Sequence, residues 1–214
     1  AKLAIAIKPT EVSQRLINEL TSQYSKDPNV ELLQGDLWLK QQKLTKAQKH
    51  YNKALSYDSN FDQATAKLYF LASKGVGDKA FVDKIEGILA NKQGTPLTRN
   101  LLADYYLNNN QLEKAKKHYE ILQPLALANR ASILNNLANI YLATNKPDDL
   151  KKAKKLIDEA VILRPNSSAF IDTQGWIMTK QGKLKLALQK LRNAYALNSN
   201  NPSISYHIGY TLHK

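Results

Sequence analysis

The sequence predicts an all-α fold, a right-handed α-solenoid of tandem antiparallel helix pairs, and three observations support this prediction. A small residue is followed three residues later by a large apolar one and twelve residues later by Ala, as in Gly35, Trp38 and Ala47. The same pattern returns about every 34 residues, which is the length of a helix–turn–helix repeat. The segments around each Ala place their apolar residues on one face, as an amphipathic helix does. No segment alternates apolar and polar residues for long enough to predict a strand.

Each copy of the pattern has a residue on its first helix that we call the repeat anchor. The anchors are Ala4, Gly35, Tyr69 in a degenerate copy, Ala103, Ala138, Gly175 and Gly209. A small anchor lets the second helix approach closely, and the large residue fills the remaining gap. We therefore expect a single domain over residues 1–214, with repeats at 1–27 (partial), 28–61, 62–95, 96–130, 131–167 and 168–201 and a half repeat at 202–214.

Several stretches depart from the regular repeat. Residues 74–93 carry three glycines and have Phe81 where the pattern expects Ala, which predicts a distorted helix pair. The first pair has a short first helix and a tight turn at residues 8–10. The connection before Ala153 is three residues longer than its counterparts, and Pro147 with the two Asp after it favours a helix start. The apolar helix at 206–214 lacks a partner helix, so we expect a fragment of a longer protein.

Composition and motifs exclude several kinds of chemistry. The 214 residues include no Cys, which rules out disulfides, thiol catalysis and zinc–thiolate sites. His207 and His213 are six residues apart, which is the wrong spacing for two ligands on one helix face. The sequence has no phosphate-binding glycine loop and no nucleophile elbow. We therefore expect a protein that is not an enzyme and that binds neither a cofactor nor a metal ion.

The net charge is +13, and its distribution is uneven. After Asp172 the chain has no acidic residue, whereas Lys183, Lys185, Lys190 and Arg192 follow in the next second helix. This basic surface could meet an anionic polymer, such as an acidic polysaccharide or, less favourably, RNA. The alternative is a solvated, lysine-rich surface that keeps the solenoid soluble, and the even spread of the lysines favours that alternative.

A partner is expected in the groove that the first helices line on the concave face of a solenoid. Residues three before and one after each anchor should point into this groove, and those chosen as partner-binding residues are Asp36, Asn100, Asp104, Asn135, Asn139, Asp172, Trp176, Tyr206 and Tyr210. Asn can donate to and accept from an extended peptide backbone, and Trp and Tyr are common interface anchors. The three Asp predict a groove that repels acidic tails and accepts a neutral or basic peptide.

Two alternatives stay open for these residues. Trp176 either packs between adjacent repeats or faces the groove, and the packed position is favoured because Trp is mostly buried in proteins. Asn135 and Asn139 either bond neighbouring backbone or face the groove. The groove is favoured for them, because Asn is a poor helix former and its presence twice in one helix needs a reason.

The repeat pattern resembles the tetratricopeptide repeat superfamily over essentially the whole chain. In the last third, Asn135-Asn136-Leu137-Ala138, Asp172-Thr173-Gln174-Gly175-Trp176 and Asn201-Pro202 with Tyr206-His207 resemble bacterial tetratricopeptide-repeat lipoproteins linked to PEP-CTERM/exosortase and exopolysaccharide systems. That group is expected to have Leu where Gln174 stands. The resemblance implies an exported, lipid-anchored scaffold in the periplasm or at the outer membrane. Without it, the expected location is the cytoplasm.

The predicted function is a non-enzymatic scaffold that binds a peptide or protein segment in the concave groove. If the closer resemblance holds, the setting is a bacterial envelope export or exopolysaccharide system. The alternative function is the docking of an anionic polymer through the basic second helices. In either case a membrane would be reached only through an anchor outside this chain.

Overall fold

The computed structural model describes residues 10–125, 127–144 and 146–214. Within these ranges the chain forms twelve α-helices and no β-strand, which confirms the predicted all-α fold of tandem antiparallel helix pairs. In chain order the helices are α1 (Thr10–Gln23), α2 (Pro28–Lys40), α3 (Leu44–Tyr57), α4 (Asp62–Ala72), α5 (Asp78–Ala90), α6 (Pro96–Asn108), α7 (Leu112–Leu122), α8 (Arg130–Ala143), α9 (Pro147–Leu163), α10 (Ser168–Lys180), α11 (Leu184–Leu197) and α12 (Pro202–His213). The anchor Ala4 and the predicted turn residues Lys8 and Pro9 lie outside the described residues.

The chain divides after Ala115 into two compact units, here called the N-terminal unit and the C-terminal unit. The N-terminal unit contains α1 to α6, the C-terminal unit contains α8 to α12, and α7 crosses the division. Helices α2, α4, α6, α8, α10 and α12 carry the predicted anchors and are therefore the first helices of their repeats. The single domain with the repeat boundaries given above stays a prediction.

The glycine anchors set the distance between the two helices of a pair. A Cβ atom on Gly35 in α2 would overlap Cε1 of Tyr51 in α3. A Cβ atom on Gly175 in α10 would lie 2.8 Å from Cγ of Leu191 in α11. Tyr51 and Leu191 are fully buried, so each glycine leaves the space into which a large side chain of the second helix packs.

Short connections join the helices of the regular pairs. Three residues separate α2 from α3, α6 from α7, and α10 from α11. Three residues also separate α8 from α9, so the longer connection that we predicted before Ala153 is wrong. The extra residues are helical instead. Helix α9 has 17 residues because it begins at Pro147, with Asp148 and Asp149 in a first turn where the helix dipole favours acidic side chains.

The stretch 74–93 departs from the regular pair, as the sequence suggested. Helix α4 ends at Ala72 and α5 begins at Asp78, which leaves a connection of five residues. Gly75 and Gly77 in this connection have φ values of 74° and 69°, a backbone conformation that glycine adopts without steric conflict. Phe81 stands where the pattern expects Ala and is 1% exposed, so the second helix packs through a large side chain.

Candidate functional site

The nine predicted groove residues all lie on first helices. The N-terminal unit holds Asp36 on α2 and Asn100 and Asp104 on α6, and the C-terminal unit holds Asn135 and Asn139 on α8, Asp172 and Trp176 on α10, and Tyr206 and Tyr210 on α12. The C-terminal set forms the larger group of connected side chains. We therefore treat it as the candidate site and describe the N-terminal residues first.

Asp36 is tied into the N-terminal unit by two contacts. Tyr51 donates a hydrogen bond of 2.8 Å from its hydroxyl to Asp36 Oδ1. The ammonium group of Lys67 on α4 lies 2.7 Å from the same oxygen. Burial, followed by the charge of Asp36 and this hydrogen bond, raises the pKa of Tyr51 far above its ordinary value. Asp36 is thus a paired charge, and it does not present the free acidic group that we expected.

Asn100 and Asp104 contact each other one helical turn apart. The Asn100 amide donates to Asp104 Oδ2 over 2.9 Å. Asn100 is 8% exposed, which leaves little of its surface for a partner. Asp104 is half-buried, and its charge, after burial, raises the pKa of Tyr69 on α4.

Asp172 in the C-terminal unit is paired with a residue that the groove prediction did not include. His207 Nδ1 lies 2.8 Å from Asp172 Oδ1. Because a carboxylate only accepts, Nδ1 carries the hydrogen and donates. Asp172 is 7% exposed, so the hydrogen bond satisfies a carboxylate that is nearly removed from water. The expected acidic surface at Asp172 is therefore not present as a free charge.

Trp176 is half-buried and lies at the centre of an aromatic cluster. Its indole stacks on the imidazole of His207, with ring centroids 4.2 Å apart and planes inclined by 16°. Tyr210 meets the indole edge-on at 5.0 Å, and Tyr206 lies 6.2 Å from it. We call Trp176, Tyr206, His207 and Tyr210 the aromatic platform. Trp176 therefore packs between two first helices and is also partly accessible, and its place in a binding groove stays a prediction.

Two lysines flank the aromatic platform. Lys180 Nζ lies 4.7 Å from the ring centre of Trp176 and 5.6 Å from that of Tyr210. Lys214 Nζ lies 5.5 Å from the ring centre of Tyr210. At these distances an ammonium group is attracted to an aromatic face. The exposed charges of these two lysines beside the platform are therefore positive, whereas Asp172 had led us to expect a negative charge there.

The two asparagines of α8 differ in exposure. Asn135 is 8% exposed, and its Oδ1 atom has no hydrogen-bond partner among the described residues. Asn139 is exposed, and its Oδ1 accepts a long hydrogen bond of 3.4 Å from Thr173 on α10. The pair thus offers one nearly buried acceptor without a partner and one accessible amide. Neither asparagine is held by a neighbouring backbone group in the described hydrogen bonds.

A buried hydroxyl pair holds the platform helices together. Thr179 on α10 and Thr211 on α12 lie 2.8 Å apart through their Oγ1 atoms, and both are buried. Thr211 also donates to the carbonyl oxygen of His207. This contact fixes α12 against α10 one turn beyond the platform, so the platform rings are presented by a packed pair of helices.

The predicted basic surface lies on and just before α11. Lys183, Lys185 and Arg192 are exposed and Lys190 is half-buried. In the described residues none of these four has a carboxylate within 4.0 Å. Leu186, Tyr195 and Leu197 on the same helix are also exposed, at 54%, 42% and 53%. The surface is therefore both basic and partly apolar.

No cluster of three or more His, Cys, Asp or Glu side chains among the described residues is placed to hold a metal ion. None of the helices described has both the length and the apolar character that crossing a bilayer requires.

Parts of the chain are similar in sequence to known tetratricopeptide-repeat proteins. Residues 175–214 match the family model described as TPR repeat. A TPR repeat-containing protein of Pseudomonas aeruginosa is 28% identical over 171 residues, which cover 77% of this chain and 28% of that protein. The chain thus spans little more than a quarter of the length of this curated relative.

Similarity to solved structures concerns the fold. The structure of Pseudomonas aeruginosa pilF matches with a TM-score of 0.65 at 15% identity, covering 87% of each chain. MamA protein matches with a TM-score of 0.64 at 14% identity, covering 80% of this chain and 92% of that one. These matches and the helix pairs show the tetratricopeptide-repeat fold. None of them supports the closer resemblance to exosortase-associated lipoproteins, which stays a prediction.

Proposed function

We propose that this tetratricopeptide-repeat chain is a non-enzymatic scaffold that binds an extended segment of another protein on the first helices of its C-terminal unit. The observation that carries the proposal is the partial exposure of the aromatic platform, in which Tyr206 is exposed and the other three rings are half-buried. Tyr206 is 61% exposed, whereas Tyr51 and Tyr119, at the core positions of second helices, are fully buried. Tyr and Trp are the most frequent anchors of protein interfaces, and exposed apolar clusters mark such sites.

Polar groups beside the platform suit a peptide backbone. Asn139 on the neighbouring first helix is exposed, and an amide can both donate to and accept from the main chain of an extended segment. Asn135, one turn earlier on the same helix, has its Oδ1 atom buried, so Asn139 is the amide that such a segment would reach. Side-chain anchoring on the rings, together with backbone bonding to amides, is the combination that recognises a peptide.

Charge restricts the kind of peptide. Asp172 is bonded to His207, while Lys180 and Lys214 flank the rings. A strongly basic peptide would meet these two ammonium groups and be disfavoured. The proposed ligand is therefore a neutral or acidic segment with an apolar side chain for the platform, in place of the neutral or basic one predicted from sequence.

The cellular setting is a further part of the proposal. A role in envelope export or exopolysaccharide assembly, with a lipid anchor outside this chain, rests only on the resemblance of the C-terminal repeats to that group of lipoproteins. The peptide-binding proposal does not depend on this setting, because it rests on the platform residues themselves.

The test begins from a variant that makes Trp176 the only indole. The chain has two Trp, so Trp38→Phe leaves Trp176 as the only source of indole emission. Peptides selected from a displayed random library would be titrated against this variant. We expect the selected peptides to change the Trp176 emission, and Tyr206→Ala to weaken them about tenfold or more, as truncation of a central interface residue does.

Matched variants separate binding from folding. Tyr195 on α11 is also an exposed tyrosine, so Tyr195→Ala is the control and should leave the affinity unchanged. Asn139→Ala should weaken the selected peptides without lowering the free energy of unfolding. Equal peptide affinity for Tyr206→Ala and Tyr195→Ala would contradict the proposal, as would a large stability loss in Asn139→Ala with unchanged binding.

A second candidate function is supported by the unpaired basic residues on and before α11. Lys183, Lys185, Lys190 and Arg192 would attract an anionic polymer, with acidic polysaccharide ahead of RNA. Replacing all four with Gln should abolish binding of alginate, which should also weaken steeply as salt is added. A control that replaces Lys154 and Lys155 on α9 should change little. Alginate affinity that is unchanged between low and high salt would eliminate this candidate.

A further inference from the structure

The degenerate repeat of the N-terminal unit contains a polar cleft that the platform does not involve. Its anchor is Tyr69 where most other repeats have Gly or Ala, and Phe81 replaces the expected Ala of the second helix. The rings of these two residues meet edge-on with centroids 6.1 Å apart, and Phe81 in turn lies 5.4 Å from Tyr105 on α6. The contact of two large side chains and the longer connection at 73–77 leave a cleft of about 350 Å³.

Several polar groups around this cleft are hydrogen-bonded within the protein. Asn108 donates from Nδ2 to the Tyr69 hydroxyl at 3.2 Å, and Asn109 donates from Nδ2 to the Tyr105 carbonyl at 2.9 Å. Ser73 donates from its hydroxyl to the carbonyl of the residue three before it at 2.8 Å. The amide oxygens of the two Asn and the Ser73 oxygen can still accept hydrogen bonds, although each amide also keeps a second N–H donor. A ligand that donates hydrogen bonds could use these oxygens.

The cleft also has negative character in a chain whose net charge is +13. Asp78 lines it from the first turn of α5, where the helix dipole stabilises a carboxylate. Its Oδ1 atom has no hydrogen-bond partner among the described residues, and no Lys or Arg described there lies within 4.0 Å of it. Burial and then Asp78 raise the pKa of Tyr105, and burial and then Asp104 raise the pKa of Tyr69. Each of the two tyrosines that border the cleft therefore interacts electrostatically with a carboxylate.

We propose that this cleft binds an organic cation, a guanidinium or ammonium group, between Tyr69 and Tyr105 with Asp78 as its counter-ion. Such a group offers several N–H donors to the oxygens of Asn108, Asn109 and Ser73 and a positive charge to the carboxylate. Aromatic rings attract a desolvated cation and also accept its alkyl stem. A divalent metal ion fits less well, because it requires six or more oxygen ligands and more than one carboxylate is usual.

The test measures the binding of small molecules at the cleft by NMR. Ring signals of Tyr69 and Tyr105 are followed by NMR while N-acetyl-arginine methylamide, its neutral analogue N-acetyl-citrulline methylamide, putrescine or calcium chloride is added. We expect saturable shifts with the arginine compound or putrescine, and binding of the citrulline compound about tenfold weaker or worse, because the charge-assisted bonds are lost. If the arginine compound binds more tightly, the source of the cation is a partner's arginine side chain. If putrescine binds more tightly, the source is a free amine.

Three variants decide whether Asp78 is the counter-ion. Asp78→Asn should weaken the cation about tenfold, while Asp83→Asn, a matched change at an exposed residue of α5, should not. Asn108→Asp adds a second carboxylate at the rim and should strengthen binding, a gain that a merely structural role for these residues does not predict. The proposal is overturned if the citrulline compound binds as well as the arginine compound, if calcium alone shifts the tyrosine signals, or if Asp78→Asn and Asp83→Asn behave alike.

Discussion

His207 stacks its imidazole on the indole of Trp176, with ring centroids 4.2 Å apart, and donates from Nδ1 to Asp172 at 2.8 Å. One side chain thus joins a half-exposed aromatic surface to a nearly buried carboxylate on the neighbouring first helix. The surface that we propose for binding is for this reason also part of what holds α12 in place. Variants that separate these two roles are therefore informative.

The change His207→Phe keeps a flat ring over Trp176 but removes the donor to Asp172. Asp172 is 7% exposed, so its carboxylate would lose its partner while remaining largely out of water. We expect the free energy of unfolding, measured with urea, to fall by about 1–3 kcal/mol. Adding Asp172→Asn should restore part of the loss, since an uncharged amide is less costly to bury. A single variant as stable as the parent chain would contradict the importance of this bond.

Replacing glycine with alanine should lower the free energy of unfolding at Gly175 in α10 and raise it at Gly209 in α12. In Gly175→Ala the new Cβ would lie 2.8 Å from Leu191 Cγ and 3.3 Å from the Ala187 carbonyl oxygen. Such overpacking costs about 1–3 kcal/mol of stability, which exceeds the gain from the higher helix propensity of Ala. In Gly209→Ala the Cβ would meet nothing within 4 Å, so the chain should gain about 0.5–1 kcal/mol. Urea unfolding of both variants measures this, and equal shifts would show that the anchor does not set the helix distance.

The fold could be predicted from sequence because repeat anchors obey a local rule. Gly35 and Gly175 are each followed sixteen residues later by the large side chain that packs on them, which is a periodic signal in one dimension. The length of α9 was missed because no such periodic signal marks it. The signals at Pro147 mark a helix start, but they do not say how far the added residues extend the helix or the connection.

The site was predicted only in part because pairing between helices depends on partners that a single-helix pattern omits. Asp36 was taken as a free charge, but Lys67 of the next first helix lies against it. His207 was missed although a signal existed. It stands 35 residues, about one repeat length, after Asp172, and that spacing places two residues side by side on adjacent first helices. Charge at a repeat surface should therefore be assigned after residues one repeat apart have been compared.

Alkaline pH should weaken the N-terminal unit through Tyr51. Burial and Asp36 raise the pKa of Tyr51 above the value of about 10 expected in an unfolded chain. A group whose folded pKa is raised contributes stability that is fully present below the unfolded value and is lost as the pH rises above it. The free energy of unfolding should therefore decline above about pH 10, more in the parent chain than in Tyr51→Phe. Identical pH dependence in the two proteins, or phenolate absorbance from Tyr51 appearing with that of free tyrosine, would contradict the burial argument.

The hydroxyl pair of Thr179 and Thr211 should show a measurable coupling in a double-mutant cycle. Each single change to Val removes the 2.8 Å bond between α10 and α12 and should cost about 0.5–1.5 kcal/mol. The double variant replaces both hydroxyls with methyl groups, and its loss should be smaller than the sum of the single losses. Thr65→Val is the matched control, since the Thr65 hydroxyl is buried without a partner among the described residues and its removal should stabilise the chain. Additive losses in the cycle would mean that the two hydroxyls contribute independently and that α12 is held on α10 by apolar packing alone.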